Sequence, residues 1–272
     1  MLLDALKAEQ YRLWRDRGAV IWGFAFPGVG VFALGVIATL FVKFVAKAKI
    51  PGGVNLATDL VGAFSGAGSP ITQIFFLIGA AAIFGTDYRW ETWRLQTPRN
   101  SRLNLILAKF AVYGAATALA LVGMALGGVL AALVRAMVET SPLEPVNWAA
   151  FAPALLRGFA AAWMELMVVG AIAALIAVLT RTNVAAIIVT LLLAFAQAII
   201  MGQMRFDPTQ PPWDALALFP SLSAQVLRGA QVGIGGVTAH GAELATVMLL
   251  LWILVIGGLT VVLFRRQELT RE

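Results

Sequence analysis

Six apolar runs separated by polar interruptions organise this chain of 272 residues. A spanning helix needs about 20 mainly apolar residues, because a hydrocarbon core of ~30 Å is crossed at ~1.5 Å per residue. On that measure Gly18–Val42, Pro70–Gly85, Phe110–Leu133, Phe159–Leu179, Ala185–Met201 and Glu243–Phe264 are the predicted spans. Pro27 and Gly28 are placed to kink the first, where neighbouring helices re-satisfy the backbone. Thr72 and Gln73 dilute the start of the second. Ahead of the first run, Leu2, Leu6 and Leu13 fall near one helical face, with Leu3 and Trp14 beside them, while Lys7, Glu9, Arg12, Arg15 and Asp16 cover much of the rest. Residues 1–17 are therefore predicted to form an amphipathic helix lying in the membrane interface. The first apolar run is longer than a signal-peptide core and has no A-x-A-like cleavage site, so it is expected to be retained.

The polar interruptions carry the rest of the information. Thr86–Lys109, TDYRWETWRLQTPRNSRLNLILAK, holds Arg89, Arg94, Arg99, Arg102 and Lys109 between the second and third runs. Each charge at the hydrocarbon centre costs about 2.5–3.5 kcal/mol on insertion scales, so this stretch lies outside the bilayer core. A purely solvated loop has little need of Trp90, Trp93, Leu95, Leu103 and Leu105, which favours a docking surface. Lys43, Lys47 and Lys49 lead into a loop rich in glycine and proline, and Val134–Pro153 reads as a second polar loop. Only Thr180–Val184 separates spans four and five, which predicts a tight helical hairpin. Prolines 208, 211, 212 and 220 break Met204–Ala242. The pieces between them, Trp213–Phe219 and Leu222–Val232, are too short to span and are expected as half-helices or a re-entrant hairpin. Gly123-x-x-x-Gly127 permits close helix approach, although such spacings recur by chance in so Gly/Ala-rich a chain.

Composition supports the pattern. The chain is 60% hydrophobic and 12% charged, with a mean hydropathy of +0.86, against about 25% charged in soluble domains. The expected fold class is an all-α integral membrane protein with six transmembrane helices. The net charge of +6 is then explained by cationic loops against anionic lipid head groups, without nucleic acid. With no cysteine, disulfides and thiolate-held zinc or iron–sulfur centres are excluded, and the single histidine, His240, cannot form a histidine cluster. Thirteen lysines and arginines fall on the side of both termini and seven on the other, so the positive-inside rule puts both termini in the cytoplasm.

Motifs for chemistry are scarce. The chain lacks G-x-x-x-x-G-K-[ST], G-x-G-x-x-G and H-E-x-x-H, so it has no phosphate-cradling loop of its own. Six spans with a serine and a histidine invite comparison with rhomboid-like proteases. Ser65, however, sits in a loop as G-A-F-S-G and His240 lies outside a spanning core. Glu165 is the one carboxylate deep in a span, roughly 22 Å from Thr180 at 1.5 Å per residue. Such groups face a bundle interior or a wet cavity. Pairing with Arg157, Lys43 or Gln197 is the favoured expectation for Glu165, and a place on a translocation path with Gln197 the alternative. Gln73 and Gln197 are read first as interhelical hydrogen-bond partners.

The stretch that opens at Asp87 resembles the coupling region of ABC-2 type transporter permeases. There an acidic residue leads to G-T-x-x-x-L-x-x-P-x-x-R and then a lysine at the start of span three. The corresponding residues here, in the same order, are Asp87, Thr92, Pro98 (one position early), Arg102 and Lys109, with departures at Glu91 and Gln96. The resemblance extends to the N-terminal helix, the broken segment before span six and the basic Arg265-Arg266 after it. It implies one transmembrane domain over 1–272, with an interfacial helix at 1–17, a cytoplasmic coupling loop at 86–109 and extracellular half-helices at 204–242. It also implies that Glu91, Thr92, Trp93, Arg94, Pro98, Arg99 and Arg102 contact a cytosolic ATPase, with Trp90 and Trp93 at the bilayer interface. Arg102 and Lys109 have an alternative role, binding lipid phosphates or acidic groups on the N-terminal helix. The implied partners are two ATPase subunits, which bring ATP and Mg, and a second permease copy or homologue, in the lipid bilayer of a cell membrane. This chain would bind no cofactor and be no enzyme itself. Export of an amphipathic, lipid-like, drug or peptide substrate is the implied activity. A secondary transporter or a non-transporting structural membrane subunit is the other expectation.

Overall fold

The computed structural model describes residues 2–48, 52–90, 92, 93, 97, 100–203, 213–229 and 239–267, with side chains from 241 onward in the last stretch. Every named element among them is helical, and the one β-type contact is an isolated bridge between Val54 and Leu143. In chain order these are α1 (Leu2–Arg15), α2 (Ala19–Val45), α3 (Leu56–Ala63), a 3₁₀ turn (Phe64–Gly68), α4 (Pro70–Arg89), α5 (Arg102–Glu139), α6 (Trp148–Thr180), α7 (Asn183–Gln203), α8 (Trp213–Leu218), α9 (Pro220–Gly229) and α10 (Ala239–Arg266). Six of them, α2, α4, α5, α6, α7 and α10, are long and apolar enough to cross a membrane. This is a helical multi-pass membrane architecture, as the apolar runs predicted.

The helices outrun the apolar segments at several ends. α5 starts at Arg102, eight residues before the predicted span, because the Ser101 hydroxyl caps it by accepting from the Asn104 N–H at 3.2 Å. It runs on to Glu139, and α6 begins at Trp148 with Pro153 inside it, so the predicted loop at Val134–Pro153 shrinks to residues 140–147. Hydropathy measures the bilayer, whereas caps and backbone hydrogen bonds set the helix. The segment expected as an open loop after Lys49 holds α3, capped by Asn55 through the N–H groups of Ala57 and Thr58. The 3₁₀ turn then buries Phe64 and Ala67 against the bundle. The short turn between α6 and α7 forms as predicted, with Arg181 in the left-handed region at φ 59°.

α6 is the central helix: 72% of its most apolar window is buried inside the chain, against 11% for α2 and for α7. Small residues bring its neighbours close. Tyr113 on α5 is fully buried, donates to the Leu166 carbonyl at 3.1 Å and lies where a side chain at Gly170 would stand. α2 is π-wound over Ala19–Ala25, immediately ahead of Pro27, whose missing N–H leaves a carbonyl without its usual partner. At Gly28 it meets α5: a Cβ there would lie 2.8 Å from the Gly123 backbone, and a Cβ on Gly127 would run into the Gly28 carbonyl. The Gly123-x-x-x-Gly127 spacing is therefore a helix crossing in fact.

Candidate functional site

Two buried polar clusters stand out among the described residues, one where α1, α4 and α5 meet and one around the middle of α6. The first lies at the end of the bundle that carries both termini. Lys109, on the second turn of α5, is 1% exposed, and its ammonium has three acceptors. These are Glu9 on α1 at 3.0 Å, Asp87 on α4 at 2.6 Å and the Ile83 carbonyl at 2.6 Å. Asp87 is fully buried and also accepts from Arg12 and from the Thr92 hydroxyl, while Arg12 reaches Glu9 at 2.8 Å. Among the described residues two carboxylates thus face two cations, with the main hydrogen-bonding capacity of the cluster engaged. Partial burial disfavours the Arg12 charge, but the hydrogen bond and charge of Asp87, with Glu9 beside it, outweigh this and hold its pKa above the ordinary value.

Local sequence explains the placement. α1 turns Leu6 and Leu13 onto the core, and Glu9 lies between them on the same face. One residue departs from the expected polar face of α1: Glu9 is buried, while Leu3 and Trp14 are exposed. Trp93 follows Thr92 and is buried against Phe264 at 4.5 Å between ring centroids, with the Lys109 ammonium 5.2 Å from its ring. That corrects the expectation of Trp93 at the bilayer interface. Trp90 is 65% exposed and stacks on Arg89.

Arg102, the first residue of α5, packs against the end of α10. It donates to the carbonyls of Arg265 at 2.9 Å and Gln267 at 2.6 Å, capping the C-terminus of α10. Gln267 in turn donates to the Val178 carbonyl at 3.0 Å and accepts from the Tyr88 hydroxyl at 2.9 Å. The ends of α4, α5, α6 and α10 are thereby tied together around the residues that flank 91–99.

The second cluster surrounds Glu165, 2% exposed in the middle of α6. Its partner is Arg228 of α9, not Arg157, Lys43 or Gln197. A helix that periodicity marks only as a short broken piece supplies this cation, and no spacing rule pairs residues 63 positions apart. Gly68, at the end of the 3₁₀ turn, lies against the pair: a Cβ there would be 2.9 Å from the Arg228 guanidinium and 3.3 Å from each Glu165 oxygen. The segments before α4 and before α10 therefore meet at this ion pair. Gln73 lies nearby and reaches only the Ala67 carbonyl, at a long 3.5 Å, so its expected interhelical bond is not made. A small cavity beside Glu165 is bordered by Gln73, Thr190, Gln197 and Ser221.

Of the predicted coupling residues, Thr92, Trp93 and Arg102 are described and all three face protein. Glu91, Arg94, Pro98 and Arg99 lie outside the described residues, as do 204–212 and 230–238 of the broken segment. Lys109 binds an acid of the N-terminal helix, as its alternative role foresaw, whereas Arg102 does not. Glu9, Arg12, Arg228 and Gln267 were missed as site residues. A lysine two turns inside a helix that enters the membrane is the signal that called for Glu9 and Asp87, since a buried ammonium needs acceptors. No protein-family model matches this chain, and a search of curated proteins gave no match either.

Proposed function

We propose that this chain is the permease subunit of an ABC-2 type transporter. In this reading residues 86–109 are the cytoplasmic coupling region, and both termini lie in the cytoplasm. Two separate ATPase subunits bind there with their ATP and Mg, and a second permease copy or homologue completes the path. Export of an amphipathic, lipid-like, drug or peptide substrate is the proposed activity. The observation that carries the reading is the anchoring of 86–109. Asp87, Thr92 and Lys109 join the base of α4, the connection after it and the base of α5 to α1 through one buried ion cluster. A push on the connection would reach four elements as a unit, because packed, saturated polar clusters move as rigid bodies. A solvated loop needs no such anchor. Arg94, Pro98 and Arg99 would supply the ATPase contact, with Thr92, Trp93 and Arg102 holding it in place.

Photo-crosslinkers at positions 94 and 99 of the full chain in native membranes test this. The expected product is a soluble chain that carries G-x-x-x-x-G-K-[ST]. Retention of an ATPase after deletion of Asp87–Arg102 would remove the coupling assignment. A second reading, a secondary transporter, is favoured by one observation: two short-helix segments meet at a buried carboxylate, as discontinuous helices do around an ion site. Transport by the purified chain driven by an ion gradient without ATP would decide for it.

A further inference from the structure

The cavity beside Glu165 has an imbalance of hydrogen-bonding groups. Gln73 Oε1, Glu165 Oε1 and Gln197 Oε1 are buried acceptors without a donor, and Thr190 Oγ1 is a buried hydroxyl without a partner. Gln73, Glu165 and Thr190 are each at most 2% exposed. All four residues border the same small space, which Ser221 of α9 also lines. They come from α4, α6 and α7, so no single helix creates the coincidence. The space measures about 20 Å³, above the ~10–15 Å³ that one water requires.

We infer that this cavity is a binding site for a single ordered water. Three acceptors need three donated hydrogens. A water donates two of them and accepts from the Thr190 hydroxyl, so one molecule partners two of the acceptors and the threonine at once. Buried waters typically make about three such bonds. Charge selects water over an ion, since Glu165 is already paired with Arg228 and the site is neutral. A bound cation would introduce an uncompensated charge in a low-dielectric interior, and an anion would be set against three acceptor oxygens, one of them a carboxylate's. Size excludes anything larger. The water bridges the helices that seat α9, and the inference stands whether or not an ATPase binds the chain.

The full-length protein in lipid nanodiscs, imaged at a resolution that shows waters, tests this directly in sodium and in choline buffers. The expected result is a peak in both, about 2.7–3.2 Å from at least two of the three acceptor oxygens. An empty cavity would overturn the inference. So would a peak that vanishes in choline or sits within about 2.6 Å of four or more oxygens, which marks a metal cation. Thr190→Val gives a second readout of opposite sign for the two cases. Around a water the variant loses a donor, and the unfolding temperature falls by about 2–4 °C, the shift for roughly 1 kcal/mol in a chain near this size. In a dry cavity it removes an unsatisfied hydroxyl, and the temperature rises.

Discussion

Lys109→Met is the sharpest test of the buried cluster beneath residues 86–109. At an effective dielectric of about 20, the carboxylates of Asp87 at 2.6 Å and Glu9 at 3.0 Å each attract the ammonium by about 6 kcal/mol. Desolvation of the ammonium, several kcal/mol, offsets much of that gain. Methionine fills a similar volume but takes one of the two cations described around Glu9 and Asp87 away from a fully buried carboxylate. Breaking a buried pair from one side costs about 3–5 kcal/mol, which is roughly 6–20 °C in unfolding temperature for a chain near this size. Glu9→Gln combined with Lys109→Met removes one charge of each sign, so the double variant is expected to recover at least ~1 kcal/mol relative to additivity. Equilibrium unfolding in mixed detergent micelles measures all four members of the cycle. A Lys109→Met cost below ~1 kcal/mol, or an additive cycle, would refute the claim that these charges act as one unit.

Arg228→Met should destabilise the chain by about 3–5 kcal/mol, because it leaves Glu165 buried and unpaired, while Glu165→Leu with Arg228→Met recovers much of that loss; thermal unfolding compares the two. Gly170→Ala places a methyl in the ring of Tyr113 and is expected to cost about 1–3 kcal/mol by the same measurement. For transport, Glu165→Gln should change the rate across pH 5–8 if the ion pair opens during turnover, and an unchanged profile would reject a charge-dependent role. At the opposite end, burial pushes the Asp59 carboxyl above its ordinary 3.8 against the pull of Arg135. The native state then binds more protons than the unfolded state just above that value, so stability falls as pH rises through the window. Asp59→Asn should lack this slope in pH-dependent melting curves.

Periodicity and length sufficed for what depends on the bilayer. Six runs near 20 apolar residues became six long helices, and the short pieces expected at Trp213–Phe219 and Leu222–Val232 match α8 and α9 over the described residues. What escaped depends on capping and tertiary partners. Ser101 and Asn55 begin helices where hydropathy reads a loop, because one side-chain acceptor near orphan N–H groups is enough to start a turn. Lys109 was legible as a lysine at a span entrance, and its acids were within reach of reasoning. Arg228 was not: a cation on a ten-residue broken helix meets Glu165 only once the chain has folded back on itself. Trp93 failed for a related reason, since aromatic residues near a membrane edge read as interface anchors until a neighbour such as Phe264 is known.

The measurement that bears most directly on the proposed function is crosslinking from position 94 in native membranes, with the captured chain identified by its sequence. The account predicts a soluble ATPase bearing a phosphate loop, captured from wild type and much reduced when Pro98→Ala or Lys109→Met disturbs the coupling region or its anchor. Capture of no ATPase from position 94, with ATP-independent transport by the same preparation, would contradict it.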